Sequence, residues 1–336
     1  QLAAGNEKSF LRVNKAEIDF PPDFDPYDEK VYQKAKTNLE DFISAGWLQQ
    51  DDSPSFHVYA QRMGDHVQYG VTAGVRVEDY ANNLIKKHEL TVKKKEDDRT
   101  KLTLIQNANV GPVFLMYRPE EAINQIVEKV TKNEPQQTAI APDDGTEHMI
   151  WPVSDPAQVA ALQEAFGPVP AAYIADGHHR SASAYNVGAL KMAEARAAGV
   201  AVTGAEPFAS FLAVLFPAPQ LKVLEYNRVV RDLRGLAPAE FLAAVAERFE
   251  VGPPQTAGAE AARPTKKGEF AMCLDGEWRR LTARPGTFDA ADPVRSLDVQ
   301  VLYDNLLAPM LGIGNPRADG RIKYVGGVRG AAELER

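Results

Sequence analysis

Hydrophobic residues recur along the chain with two periods. Val31, Ala35, Leu39, Phe42 and Ile43 follow helical spacing, which predicts a helix over Val31–Ala45 that Gly46 ends. Phe56–Arg62 and Gln68–Val77 read as two strands of a hairpin turning at Met63-Gly64-Asp65-His66. Gly111–Tyr117 and Met149–Val153 read as strands, Pro119–Val130 and Pro156–Phe166 as helices. Ser9–Val13 reads as a strand, and within the heavily charged stretch Leu84–Leu104 the run Lys86–Arg99 reads as a solvated loop. After Phe208–Phe216, a continuous apolar run, come a strand at Lys222–Val230, a helix at Pro238–Phe249 and a Pro/Gly/Ala loop at Gly252–Lys267. A hairpin at Glu269–Asp275 and Trp278–Arg284, a helix at Asp298–Leu311 and a strand at Ile322–Val325 complete the pattern. Strands and helices mix without a regular βαβ alternation, so the expected class is α+β.

Between the helix at Pro156–Phe166 and the apolar run lies the densest chemistry. Ala171–Ala175 reads as a short buried strand and Ser181–Ala198 as a helix rich in Ala, Leu, Met and Glu, so Asp176-Gly177-His178-His179-Arg180 occupies a strand-to-helix turn. Asp176 is suited to end the strand or cap the helix, and Gly177 lets the backbone turn or approach a ligand. Free N–H groups at a helix start, the helix dipole and the Arg180 fork together suit a phosphate. The two imidazoles and the carboxylate can move protons or hold a metal. A capped helix with surface histidines is the plain alternative.

Composition narrows the partners. A formal net charge of −8 over 336 residues argues against a broad nucleic-acid footprint, while leaving room for small anionic ligands in a local pocket. The single cysteine, Cys273, excludes an intramolecular disulfide and suits a reducing cytoplasm. No apolar run approaches the length of a membrane span, so a membrane is not an expected partner. The chain begins at Gln1 and reads at once like the inside of a domain, which predicts a fragment. His57, His66 and His148 have no neighbours at metal-ligand spacing, and Gly326-Gly327-Val328-Arg329-Gly330 is a weaker candidate phosphate loop. His88-Glu89, in the charged stretch, could supply a general base if the fold carries it to the turn.

Ile174-Ala175-Asp176-Gly177-His178-His179-Arg180 resembles the signature of the bacterial domain-of-unknown-function family 1015. His88-Glu89-x-Thr91, Asp98-Arg99, Asn109-x-Gly111-Pro112-x-Phe114 and Tyr324-Val325-Gly326-Gly327-x-Arg329-Gly330 resemble it too, in the same order. The Asp-Gly-His-His-Arg turn with an upstream His-Glu pair is also similar to the free serine kinases of the partition-protein (ParB) and sulfiredoxin superfamily. That second resemblance implies a ParB/sulfiredoxin-like mixed-sheet domain over residues 1–227, enlarged by an inserted subdomain between Glu89 and Asp176, with a smaller α+β domain over 228–336. It implies a nucleotide-dependent phosphotransferase with Mg²⁺ and ATP or ADP, acting on a small hydroxyl compound such as serine. Glu89, with His88 beside it, would be the catalytic base. Asp176 would act at the phosphate turn and hold the metal, and Gly177, His178, His179, Arg180, Asp98 and Arg99 would bind phosphate or nucleotide. A small-molecule phosphatase and a nucleotide-binding regulatory module without turnover are the alternatives.

Overall fold

The computed structural model describes residues 2–256, 258–316, 318–327 and 334. The chain divides into two compact units, Gln1–Lys222 and Val223–Arg336. The class is α+β: one large mixed sheet with helices, and two small sheets.

The first unit runs α1 (Leu11–Asn14), α2 (Glu29–Ser44), β1 (Phe56–Met63), β2 (His66–Arg76), α3 (Val77–Ala81), β3 (Ile85–Lys86) and α4 (Lys93–Gln106). It continues with β4 (Val113–Tyr117), α5 (Glu121–Val130), β5 (Gln137–Ile140), β6 (Glu147–Val153), α6 (Pro156–Phe166), β7 (Ala172–Asp176), α7 (His178–Ala197) and β8 (Ser210–Pro217). Eight strands form one sheet in the order β3-β7-β4-β8-β2-β1-β6-β5. Two pairs are parallel, β3 with β7 and β4 with β8, and the remaining pairs are antiparallel. The apolar run Phe211–Phe216 belongs to β8, a central strand with most of its residues buried, as a strand covered on both faces requires. Leu115, Tyr117, Ile123, Leu162 and Ile174 are almost wholly buried in the main core. A separate cluster of Val31, Tyr32, Ala35 and Leu102 joins α2 to α4.

The second unit runs β9 (Tyr226–Val230), α8 (Pro238–Arg248), β10 (Phe249–Gln255), α9 (Ala259–Ala262), β11 (Glu269–Leu274), β12 (Glu277–Ala283), α10 (Asp298–Leu302) and β13 (Ile322–Gly326). Its sheets are β10-β12-β11 and the ribbon β13-β9, and Phe241, Val245, Phe249, Leu281 and Ile313 lie in its core.

Several sequence expectations need correction. Ser9–Val13 is not a strand: its second half enters the helix α1, which buries Val13. The second half of the charged stretch is the helix α4, because straight-chain Lys, Glu and Arg favour helix and Leu102 supplies an apolar anchor. The helix over Asp298–Leu311 is interrupted, since α10 passes into a π-helical turn at Tyr303–Leu307. Pro253 and Pro254 do not end β10, which absorbs them at an irregularity in its pairing with β12. The short helix α9 also interrupts the expected loop there. β5, an edge strand with every residue exposed, carries no burial pattern to read. Residues 328–330 of the glycine-rich candidate loop lie outside the described residues.

Candidate functional site

The strand-to-helix turn is built by a bulge and a glycine. Phe114 of β4 pairs with Asp176 while Leu115 pairs with Ile174, so Ala175 is the extra residue on β7 and both Ala175 and Asp176 face outward. Gly177 follows at φ 99°, a left-handed conformation, and a Cβ there would lie 3.1 Å from Arg180 Nη2. The helix starts at His178, three residues earlier than Ser181, where the sequence pattern places it. Gly177 is its N-cap, so the expected capping role does not fall to Asp176, whose carboxylate instead takes Arg180 Nη2 at 2.6 Å. Ser181 N–H donates to the Gly177 carbonyl at 2.9 Å, and no side chain caps the helix. The N–H groups of His178, His179 and Arg180 therefore have no intrahelical acceptors, at the positive end of a 20-residue helix.

The three side chains of this first turn go different ways. His178 is 5% exposed and meets the His88 ring edge-on at a centroid distance of 4.4 Å. Its Nδ1 lies 3.7 Å from the half-exposed Glu89 carboxylate, and the His88 N–H points at its Nε2 from 3.5 Å. Burial, then the neighbouring His88, hold the His178 pKa below the ordinary histidine value, against the opposing pull of Glu89. His179 Nε2 accepts the Val92 N–H at 3.0 Å, which fixes that nitrogen as the unprotonated one. Arg180 lies back over Gly111, where a Cβ would come within 3.3 Å of its Cδ.

Two struts hold the surroundings. Glu96 of α4 accepts from the Thr91 hydroxyl and from Asn186 Nδ2 of α7, the latter at 2.8 Å, and these bonds lower its pKa. With His179 on Val92, they clasp the segment carrying His88 and Glu89 against α7. Asp98 accepts the Tyr32 hydroxyl at 2.7 Å on one oxygen and the Arg99 fork at 2.7 and 2.9 Å on the other. Burial, then this carboxylate, raise the Tyr32 pKa. Asp98 is thus engaged in orienting Arg99.

Behind Arg180 opens a cleft of about 270 Å³ between α1, α4, α7 and the starts of β4 and β8, with Lys15, Arg99, Arg180 and Ser183 on its wall. A more open hollow of about 510 Å³ lies over β5 and β6. There the Tyr59 hydroxyl and His148 Nδ1 satisfy each other at 2.7 Å.

A family model described as "Protein of unknown function (DUF1015)" matches residues 1–300. The chain belongs to this family. No curated protein and no solved structure matches it.

The sequence-predicted residues thus fall into two groups about one helix start. His88, Glu89, His178 and His179 gather on the side of the clasped segment, whereas Asp176, Arg180 and the Asp98–Arg99 pair are tied up with one another or with their neighbours. The described residues contain no cluster of three or more His, Cys, Asp or Glu able to hold a metal. At the turn itself Asp176 is a carboxylate of the kind that Mg²⁺ takes together with substrate phosphates, and it is paired with Arg180. Tyr32, Glu96, Asn186, Ser183 and Lys15 are site neighbours that the motifs do not contain. One signal does point to two of them: His179, Ser183 and Asn186 recur at i, i+4 and i+7, a polar stripe along a helix otherwise rich in alanine.

Proposed function

We propose that this DUF1015 chain is a nucleotide-dependent phosphotransferase acting on a small hydroxyl compound, with serine or a serine-like compound as the preferred acceptor. One observation carries the reading: Glu89, on a segment some ninety residues upstream, stands 3.7 Å from His178 at a helix start whose N–H groups are uncapped. Phosphoryl transfer asks a protein mainly to position reactants and stabilise charge, and an uncapped helix start beside a carboxylate base supplies both. The terminal phosphate of ATP or ADP would rest on the N–H groups of His178, His179 and Arg180. Glu89 would take the proton of the acceptor hydroxyl as its oxygen bonds to phosphorus and the bond to the leaving nucleotide breaks. Burial pushes the His178 pKa down and so favours its neutral form beside that base. Asp176 would hold Mg²⁺, which supplies charge neutralisation at the phosphates when bound.

We read the first unit as a ParB/sulfiredoxin-like domain with a subdomain inserted between Glu89 and Asp176, working in the cytoplasm on small molecules and not on nucleic acid. The experiment that tests the function is ³¹P NMR of the protein with ATP, ADP or CTP, Mg²⁺ and a panel of hydroxy amino acids. A new phosphoester signal that requires both nucleotide and acceptor is the expected result. A second reading, a nucleotide-binding module without turnover, is favoured by the 2.6 Å Asp176–Arg180 pair, which engages two groups that catalysis needs free. Nucleotide binding without product would establish that reading instead.

A further inference from the structure

The cleft behind Arg180 is more than a gap between helices. Ser183 is 1% exposed, and its Oγ is buried without a hydrogen-bond partner among the described residues. Arg180 Nε is likewise buried and unpartnered, while its Nη2 is held by Asp176. Both residues belong to the wall of the same cleft. Buried polar groups are nearly always paired in native proteins, so two orphaned donors on one small cavity point to a ligand carrying acceptors. Charge argues the same way. Among the described residues, Arg99 gives Nε and Nη2 to Asp98 with no partner for its Nη1, and Lys15 on the rim has no ion-pair partner. Asp98 and Asp176 offset the two guanidinium groups, which leaves Lys15 as the surplus positive charge.

Apart from Asn14, Thr103 and Asn109, the rest of the wall is apolar and includes Leu102 and Phe211. A lone phosphate would leave such a surface uncovered, whereas a short carbon chain ending in a carboxylate would satisfy both parts, and a volume of about 270 Å³ suits a molecule of that size. We propose that this cleft is a binding site for a small carboxylic acid, its carboxylate held by Arg180 Nε, Ser183 Oγ and Lys15 and its carbon chain lying on Leu102 and Phe211. Because Arg180 is shared, occupancy of the cleft bears directly on the Asp176–Arg180 pair at the phosphate turn. The inference stands apart from phosphoryl transfer, since it concerns binding in the absence of any nucleotide.

The test is calorimetric titration of the full chain, without nucleotide, using lactate, glycerate, inorganic phosphate and the neutral propane-1,2-diol as probes. At least one acid should bind saturably at roughly millimolar concentration or below, with no heat from the diol. Ser183→Ala and Lys15→Ala should each weaken that binding by about tenfold. Lys15 is exposed, so its variant decides the matter even if Ser183→Ala fails to fold. The proposal is overturned if neither acid binds, if the diol binds as well as the acids, or if phosphate matches them with the same dependence on Ser183. It is overturned equally if Lys15→Ala leaves the affinity unchanged.

Discussion

Gly177→Ala separates two reasons for a glycine at the turn. The first is backbone: at φ 99° a Cβ crowds its own chain, which costs about 1–2 kcal/mol for a residue forced into the left-handed region. The second is contact: the new methyl would stand 3.1 Å from Arg180 Nη2 and 3.3 Å from its Cζ, so the guanidinium must give by a few tenths of an ångström, which strains its bond to Asp176. Both partners of that ion pair are substantially exposed, and such a pair contributes at most about 1 kcal/mol. Gly177→Ala should therefore lower stability by about 1–3 kcal/mol, read as a shifted urea midpoint with unchanged slope. Gly204→Ala is the nearer control, because Gly204 has φ 87° with nothing within 4 Å of its would-be Cβ, so it loses the backbone part alone. The contact part also predicts coupling: in an Arg180→Ala background, Gly177→Ala should cost less than in the parent, by the share attributed to the strained pair. Equal costs in the two backgrounds would refute the contact argument, and a neutral Gly177→Ala would refute both.

Glu89→Gln should keep nucleotide affinity but lower turnover by on the order of 10²-fold or more, whereas Arg180→Ala should weaken phosphate binding itself; steady-state rates and titrations distinguish the two. His178 has its folded pKa pushed below the ordinary value of 6.5, so the stability it contributes is full above that pH and is lost as pH falls through the folded pKa. Denaturant midpoints should accordingly drop below pH 6.5, and His178→Gln should flatten that part of the profile. Glu96→Ala removes the acceptor of the Thr91 and Asn186 bonds and should cost about 2–3 kcal/mol, with faster proteolysis near Glu89.

The strands and helices with strong periodicity were legible from sequence, as the helix expected at Pro119–Val130 illustrates, because Ile123, Val127 and Val130 of α5 bury one regular face. The strand-to-helix turn was legible as well, although the helix starts at His178, three residues before the sequence pattern places it. What one-dimensional patterning could not supply is direction. Consecutive residues of a helical turn point about 100° apart, so His178 and Arg180 diverge even though they are two positions apart in the chain. Nor could it show that Asp98 takes the Tyr32 hydroxyl, or that Glu96 meets Asn186, because those contacts exist only once α4 packs on α2 and α7. Helix α4 itself escaped notice because its charged residues carry almost no apolar stripe, only Leu102 and Gln106 being buried.

Asp176 decides between the two readings of the site, because it cannot serve both at once. In the resting structure its carboxylate accepts Arg180 Nη2 at 2.6 Å, and so it competes with any phosphate for that guanidinium. If the chain is a binding module, Asp176 is only a competitor. Asp176→Asn then removes a negative charge from the phosphate site and frees Arg180. The pair is exposed and contributes at most about 1 kcal/mol, so nucleotide affinity should rise by up to about fivefold, with or without Mg²⁺. If the chain is a phosphotransferase, the same carboxylate is the group that holds Mg²⁺ at the phosphates. Asp176→Asn then abolishes the gain in nucleotide affinity that Mg²⁺ gives the parent protein, and turnover falls with it. Titrating ATP into the parent and the variant, each with Mg²⁺ and with EDTA, therefore yields opposite signs for the two readings. A variant that binds ATP more tightly in Mg²⁺ than its parent does would sink the metal-holding role of Asp176, and with it the phosphotransferase mechanism as drawn. Loss of the Mg²⁺-dependent part alone, with binding in EDTA unchanged or stronger, is the outcome expected of the proposed phosphotransferase.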